Sequence, residues 1–186
     1  DRGGPVTARL AEVDLPDFGR SRTTPDVPAE RYADRYARLR ERMEARGLAR
    51  LVVYADREHS ANLSWLSGFD PRFEEALFVT GTAGDPAILV GNECYGTAGA
   101  APLPMRRHRY QELSLPGQPR DRSRTLAEIL GDEGIVPGTR VGVVGWKTHA
   151  DATRMDAPSW LVDELRRLAG SGGNVEDATD LFIDSA

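Results

Sequence analysis

The chain has 186 residues, 40% of them hydrophobic and 28% charged, so it is long enough for one globular domain with a substantial core. Its formal net charge is −5, and this acidity argues against nucleic acid or an anionic membrane as the main partner. No apolar run approaches the ~20 residues needed to cross a bilayer. The single cysteine, Cys94, excludes an intrachain disulfide and favours a reducing, cytoplasmic setting.

The first 28 residues carry four prolines and show neither helical nor strand periodicity. This composition predicts an extended N-terminal arm at 1–28, followed by a folded domain at 29–186.

A helix is predicted directly after Pro28. Its apolar residues recur at spacings of four, three and four and therefore share one face: Tyr32, Tyr36, Leu39 and Met43. Gly47 is typical of the residue that follows a helix. The apolar run 51–54 then predicts a strand buried on both faces, while Ser60 and Gly68 mark the start and end of a short helix.

Two β-type runs, 76–80 and 87–90, flank a loop of turn-forming residues and predict an antiparallel hairpin. Residues 92–105 give no clear prediction, and 107–111 are compatible with an edge strand. The last third alternates between helices and strands, with helices around 126–134 and 158–168 and strands at 141–144 and 174–177. This order predicts an α/β fold with a mixed β-sheet flanked by helices.

The sequence carries no local catalytic signature. None of the three histidines, His59, His108 and His149, has a His or Cys at i+2 to i+5, so zinc-type spacing is absent. The GxGxxG, GxxxxGK[ST] and GxSxG motifs are absent as well. We therefore predict no catalytic residue, no metal ligand and no cofactor in this chain. A small enzyme that uses Cys94, His59 or His108 stays open as an alternative.

Two charged segments stand at the ends of predicted elements, where α/β folds place functional groups. The first, DREH at 56–59, follows the first strand, and the second, FDPRFEE at 69–75, precedes the hairpin. Binding or interface use is one interpretation of these segments. A solvated cluster of surface ion pairs is the other.

The same region resembles a known family. A charged helix, then RGL, an apolar strand and the run N-L-x-x-L-S-G-F at 62–69 are similar to the N-terminal domain of the creatinase, prolidase and Xaa-Pro aminopeptidase family. The hairpin EALFVTGTAGDPAILVG and a tail that ends in DATDLF follow in the family's order, so the resemblance extends over residues 29–184.

This resemblance implies a creatinase N-terminal-like fold with a ribonuclease H-like motif. In the family, catalysis belongs to a C-terminal domain in which two Asp, one His and two Glu hold two divalent metal ions (Mn, Co or Zn). Those ligands have no counterpart here, so the resemblance implies that the catalytic domain is absent from this chain and that the chain alone is inactive.

Family lobes of this kind form homodimers or higher homo-oligomers, contact their own catalytic domain and border the neighbouring subunit's active site. The resemblance therefore implies a non-catalytic domain of a metal-dependent, cytoplasmic Xaa-Pro peptidase-like hydrolase. The candidates for contacts with the partner or the substrate are Arg57, His59, Arg72 and Phe73. A free-standing α/β module that binds a ligand or a protein is the alternative.

Overall fold

The computed structural model describes residues 8–17, 19, 20, 23, 26–151 and 153–183. The α-helices are α1 (Ala29–Arg46), α2 (Ala61–Ser67), α3 (Cys94–Thr97), α4 (Leu126–Asp132), α5 (Ser159–Leu168) and α6 (Asp180–Ile183). The strands are β1 (Arg50–Ala55), β2 (Ala76–Gly81), β3 (Ala87–Val90), β4 (Arg106–Arg109), β5 (Val141–Val144) and β6 (Val175–Asp177).

All six strands form one sheet in the order β4-β3-β2-β1-β5-β6. Strand β2 runs antiparallel to both of its neighbours, and every other neighbouring pair is parallel. Five strands therefore point one way and β2 points the other. The predicted hairpin is confirmed, with Phe78 opposite Ile88, and so is the mixed sheet flanked by helices.

Helix α1 buries the face that its sequence periodicity predicts, comprising Tyr32, Tyr36, Leu39 and Met43. The Tyr36 hydroxyl lies 2.6 Å from Thr80 Oγ1 and ties the helix to β2. The helix ends where Gly47 adopts a φ of +68°, a left-handed conformation that suits glycine. The Gly47 N–H then donates to the Glu44 carbonyl at 2.9 Å.

The sheet separates two apolar cores, because successive side chains of a strand point to opposite faces. In β1, Leu51 and Val53 contribute to the core beneath α1 and α2, whereas Val52 and Tyr54 contribute to the core beneath α4 and α5. Strand β1 is thus buried on both faces, as its continuous apolar run predicts.

One local detail differs from the sequence prediction. Ser60 precedes α2 but already has helical φ and ψ, and its side chain makes no capping hydrogen bond. The ambiguous stretch 92–105 contains the short helix α3 and a 3₁₀ turn at Ala98–Ala100. Cys94, at the start of α3, is buried.

The predicted arm lies partly outside the described residues, which omit 1–7, 18, 21, 22, 24 and 25. Its described stretch 8–17 forms neither helix nor strand and is exposed throughout. The boundary between arm and domain stays a prediction, and residues 152 and 184–186 of the domain also lie outside the description. Within the described ranges, no helix combines the length and apolarity needed to span a membrane.

Candidate functional site at the carboxyl edge of the sheet

One edge of the sheet collects the loops that carry the candidate side chains predicted from the sequence. Because five strands point the same way, this edge holds the carboxyl ends of β1 and β3 to β6 together with the start of β2. We call it the carboxyl edge. Both charged segments singled out in the sequence, 56–59 and 69–75, lie there.

Asp56 organises the turn that follows β1. Its Oδ1 accepts the backbone N–H groups of Glu58 (2.9 Å) and His59 (2.8 Å), and its Oδ2 lies 3.0 Å from His59 Nδ1. Burial acts to raise the pKa of Asp56, but the hydrogen bonds from His59 and Glu58 outweigh it and lower that pKa. Asp56 thus stays ionised and holds the His59 ring in one orientation.

Tyr54 links Asp56 to a second carboxylate. Its hydroxyl lies 3.0 Å from Glu75 Oε1 and 3.3 Å from Asp56 Oδ2, so a single proton faces two acceptors. Burial, followed by the charge of Glu75, raises the pKa of Tyr54 well above its ordinary value. Burial also raises the pKa of Glu75. The tyrosine therefore acts as a hydrogen-bond donor and not as an acid near neutral pH.

A cavity of about 180 Å³ opens between this turn and the loop after β5. Its lining comprises Tyr54, Asp56, His59, Trp146, Asp156, Ala157 and Pro158. The Trp146 ring, 55% exposed, lies 5.0 Å from the His59 ring, centroid to centroid. Among the described residues, Asp156 Oδ2 is buried and accepts no hydrogen bond.

A second cavity, of about 430 Å³, lies beside the turn that leads into β2. Its lining comprises Gly68, Phe69, Asp70, Arg72, Phe73, Glu93, Cys94 and Thr97. Arg72 has a φ of +59°, which is uncommon for a residue other than glycine. Its N–H donates to Asp70 Oδ1 at 2.8 Å, which fixes the turn. The Phe73 side chain is 47% exposed, so this turn presents a guanidinium and an aromatic ring to solvent.

Glu74, next to this turn, joins it to the start of α3. Although only 2% exposed, its carboxylate accepts the backbone N–H groups of Glu93 (3.2 Å) and Cys94 (2.9 Å). The Cys94 thiol donates to the Pro71 carbonyl at 3.0 Å. Burial, followed by the Glu74 carboxylate, raises the pKa of Cys94 to about 12. The thiol is therefore held as a structural donor, since a nucleophilic cysteine requires a lowered pKa.

The four residues proposed from the sequence do not form one cluster. Arg72 and Phe73 line the larger cavity together, whereas His59 lines the smaller one. Arg57 lines neither, and its exposed side chain lies 3.7 Å from the Glu58 carboxylate. Their role in contacts with a partner or substrate stays a prediction.

Sequence reasoning missed Trp146 and Asp156 as neighbours of His59. The sequence signal for them is weak, because Trp146 is a single aromatic residue after a buried strand and Asp156 lies just before the helix predicted around 158–168. The Trp146 ring contacts the His59 ring, and Asp156 lines the same cavity, although both residues lie far from His59 in the sequence.

The described residues hold no group of three or more His, Cys, Asp or Glu side chains that fits a metal ion. The pair of divalent metals implied by the family resemblance therefore has no ligand set in the described part of the chain, and no metal-dependent step follows from it. The carboxyl edge exposes the guanidiniums of Arg57 and Arg72 and two aromatic rings, and a carboxylate there holds a histidine.

The chain is thus an α/β domain with a six-stranded mixed sheet and two cavities at the carboxyl edge. Residues 35–167 match the family model described as the creatinase/prolidase N-terminal domain, and the chain belongs to this family. The resemblance drawn from the sequence is thereby confirmed. No curated protein matches the chain.

Solved structures share the fold at low sequence identity. A dipeptidase, PepE, from Mycobacterium ulcerans superposes with a TM-score of 0.59 and 16% identity, over 86% of this chain and 38% of its own. A proline dipeptidase from Streptococcus agalactiae gives 0.58 and 14%, over 82% and 98%. The N-terminal domain of the cytoplasmic peptidase PepQ from Mycobacterium tuberculosis gives 0.55 and 16%, over 82% and 98%.

The share of each solved structure that this chain covers ranges from about a third to nearly all of it. The present chain spans just over a third of the M. ulcerans dipeptidase but nearly all of the separate PepQ N-terminal domain. At these identities the likeness concerns the fold alone.

Proposed function

We propose that this chain is the non-catalytic N-terminal domain of a metal-dependent Xaa-Pro peptidase-like hydrolase of the cytoplasm. In this role it joins copies of the enzyme and borders the active site of a neighbouring catalytic domain. The observation that carries the proposal is the family match over residues 35–167. The two divalent metal ions (Mn, Co or Zn) belong to the catalytic domain of the parent protein, which also serves as this domain's partner.

The arrangement of the carboxyl edge supports the capping role. The Arg72–Phe73 turn presents a positive charge and an exposed ring beside a cavity of about 430 Å³. A guanidinium is well suited to bind the terminal carboxylate of a short peptide, because it offers two parallel donors. The turn is held by Asp70 and by the buried Glu74, so the two side chains start from a fixed backbone.

The first test is the continuation of the reading frame beyond residue 186. The proposal expects a second domain with two Asp, one His and two Glu in the family's order. The 186-residue chain, purified and supplied with Mn²⁺, is expected to hydrolyse no Xaa-Pro dipeptide. Turnover by the pure chain would contradict the proposal, and a stop codon directly after residue 186 would favour the free-standing binding module.

The second test measures capping in the full-length protein. Replacing Arg72 by Ala is expected to lower kcat/KM about tenfold or more, since hydrogen bonds to charged groups contribute about 1.5–3 kcal/mol. Phe73→Ala tests the exposed ring in the same way. Arg167→Ala, which removes an exposed arginine of α5, is the matched control and should leave the kinetics unchanged. If Arg72→Ala and Phe73→Ala had the same kcat/KM as the wild-type enzyme, the capping role would be refuted.

A further inference from the structure

The smaller cavity of the carboxyl edge has room for a small organic molecule. Its volume is about 180 Å³, and an apolar cavity of about 150 Å³ is large enough to hold benzene. Its apolar walls are formed by Trp146, Ala157 and Pro158, and its polar lining by Tyr54, Asp56, His59 and Asp156. A ligand with a compact apolar body and one polar group therefore suits both the size and the lining of this cavity.

The carboxylate of Asp156 has no partner within the described part of the chain. Its Oδ2 is buried and accepts no hydrogen bond, and no ion pair includes it. Burying a carboxylate oxygen without a donor costs free energy. Because Asp156 as a whole is only half-buried and lines the cavity, a cation there can approach the carboxylate and offset this cost.

The charge of the lining favours a cation as the ligand. Asp56 and Asp156 contribute two carboxylates, and no arginine or lysine of the described chain lines the cavity. Glu75 adds a carboxylate next to the lining, since its Oε1 lies 3.0 Å from the Tyr54 hydroxyl. A cleft lined by charges of one sign raises the local concentration of the opposite ion.

The positive groups nearby are engaged by other partners. Lys147 Nζ lies 5.4 Å from the centre of the Trp146 ring, a distance at which an aromatic face attracts a cation. His59 Nδ1 lies 3.0 Å from Asp56 Oδ2. Within the described part of the chain, neither group pairs with Asp156. The Trp146 ring thus serves the cavity as an apolar wall, and Asp156 supplies the negative charge.

We propose that the smaller cavity binds a small organic ammonium ion whose charge pairs with the carboxylate of Asp156. The ligand is a protonated primary amine with an apolar body of about benzyl size, which packs against Trp146, Ala157 and Pro158. Its N–H groups donate to the carboxylate, and such charge-assisted hydrogen bonds are stronger than neutral ones. The inference goes beyond the proposed function, because it requires neither a catalytic domain nor the Arg72–Phe73 turn.

Titration of the 186-residue chain with three probes of similar shape tests the site. The probes are benzylammonium, the neutral benzyl alcohol and the anionic benzoate. The chain has three tryptophans, so a ¹⁵N-labelled sample shows three indole N–H signals, and Trp146→Phe identifies the signal of the cavity wall. At pH 8, where an unperturbed histidine is neutral, benzylammonium should shift the Trp146 signal saturably and leave those of Trp65 and Trp160 unchanged. Benzyl alcohol should bind about tenfold more weakly or worse, and benzoate should not bind.

Substitution of Asp156 separates binding from folding. Asp156→Asn keeps the shape of the side chain and removes its charge, so the dissociation constant of benzylammonium should rise about tenfold or more. Because no described group donates to Asp156 Oδ2, the urea midpoint of this variant should equal or exceed that of the wild-type chain. Asp163→Asn changes an exposed carboxylate of α5 outside the cavity and is the matched control, with an unchanged dissociation constant. Ala157→Leu fills the cavity and should abolish binding.

Four results would overturn the inference. The absence of a saturable shift of the Trp146 signal shows that the cavity binds no such cation. Equal affinity for benzyl alcohol shows an apolar cleft that does not select charge. Unchanged affinity in a folded Asp156→Asn variant shows that this carboxylate does not hold the ligand, and unchanged affinity in Ala157→Leu places the ligand elsewhere. All of these outcomes are independent of the kinetic test of Arg72 and Phe73.

Discussion

Replacing Gly145 by Ala should strongly destabilise the fold. A Cβ atom at this position would lie 1.9 Å from the carbonyl oxygen of Asp156, a backbone atom that cannot rotate away. Gly145 also accepts a hydrogen bond from Asn62 Nδ2 at 2.7 Å and donates one to Thr179 Oγ1 at 3.0 Å. The residue thus joins the end of β5 to α2, to the residue that precedes α6 and to the backbone of Asp156 beside the smaller cavity.

The expected loss follows from these contacts. Forcing extra volume into a packed site costs about 1–3 kcal/mol, and each hydrogen bond weakened by the backbone shift adds about 1 kcal/mol. Together they give a loss of about 3–5 kcal/mol in the free energy of unfolding. With an m-value of about 2 kcal/mol/M, the urea midpoint should fall by about 1.5–2.5 M.

Urea unfolding followed by circular dichroism measures this loss without depending on the neighbouring Trp146. Gly131→Ala is the matched control, because a Cβ in that helical position meets no atom within 4 Å. The control should gain about 0.5–1 kcal/mol, as alanine favours a helix over glycine. If Gly145→Ala changed stability by less than 0.5 kcal/mol, the close packing of the loop on β5 would be wrong.

Three further predictions concern the carboxyl edge. Glu74→Gln leaves one of the two backbone N–H groups of Glu93 and Cys94 facing an amide NH₂, so urea unfolding should show a loss of about 1.5–3 kcal/mol; a change under 0.5 kcal/mol would show that this carboxylate does not hold α3. Burial acts to raise the pKa of Asp56, but hydrogen bonds from His59 lower it. The resulting stability is present above the unfolded-state pKa of about 3.9 and is lost as pH falls through the lower, folded value. Asp56→Asn should therefore lose less stability than the wild-type chain between about pH 5 and pH 2, and equal pH profiles would refute this reasoning. Burial raises the pKa of Cys94 to about 12, so Ellman's reagent should label the native thiol far more slowly than the thiol unfolded in guanidinium. Labelling at the unfolded rate would favour the alternative of an enzyme that uses Cys94.

Local patterns predicted the regular elements well, because each pattern reflects burial along a single stretch of chain. The spacing of Tyr32, Tyr36, Leu39 and Met43 specifies one face of a helix, and that face is buried against the sheet. The apolar run in β1 likewise indicates a strand covered on both faces, and the structure covers it with helices on both.

The sequence did not predict which residues line the same cavity. His59 and Trp146 are 87 positions apart in the chain, yet their rings lie 5.0 Å from each other. Their contact depends on the pairing of β1 with β5, which no local pattern of charge or hydropathy specifies. Arg57 shows the converse, since its neighbour His59 lines a cavity while Arg57 itself faces solvent.

The positive charges of the outer strand β4 oppose edge-to-edge pairing with a second β4. An unpaired strand edge is a template for further strands and, in concentrated solution, for aggregation. Here the strand consists of Arg106, Arg107, His108 and Arg109, and the guanidiniums of Arg107 and Arg109 lie over the Tyr95 ring. A second β4 approaching this edge would bring like charges together, so the pairing of one β4 edge with another is disfavoured. Substituting Arg107 and Arg109 with Val should therefore reduce solubility before it reduces stability.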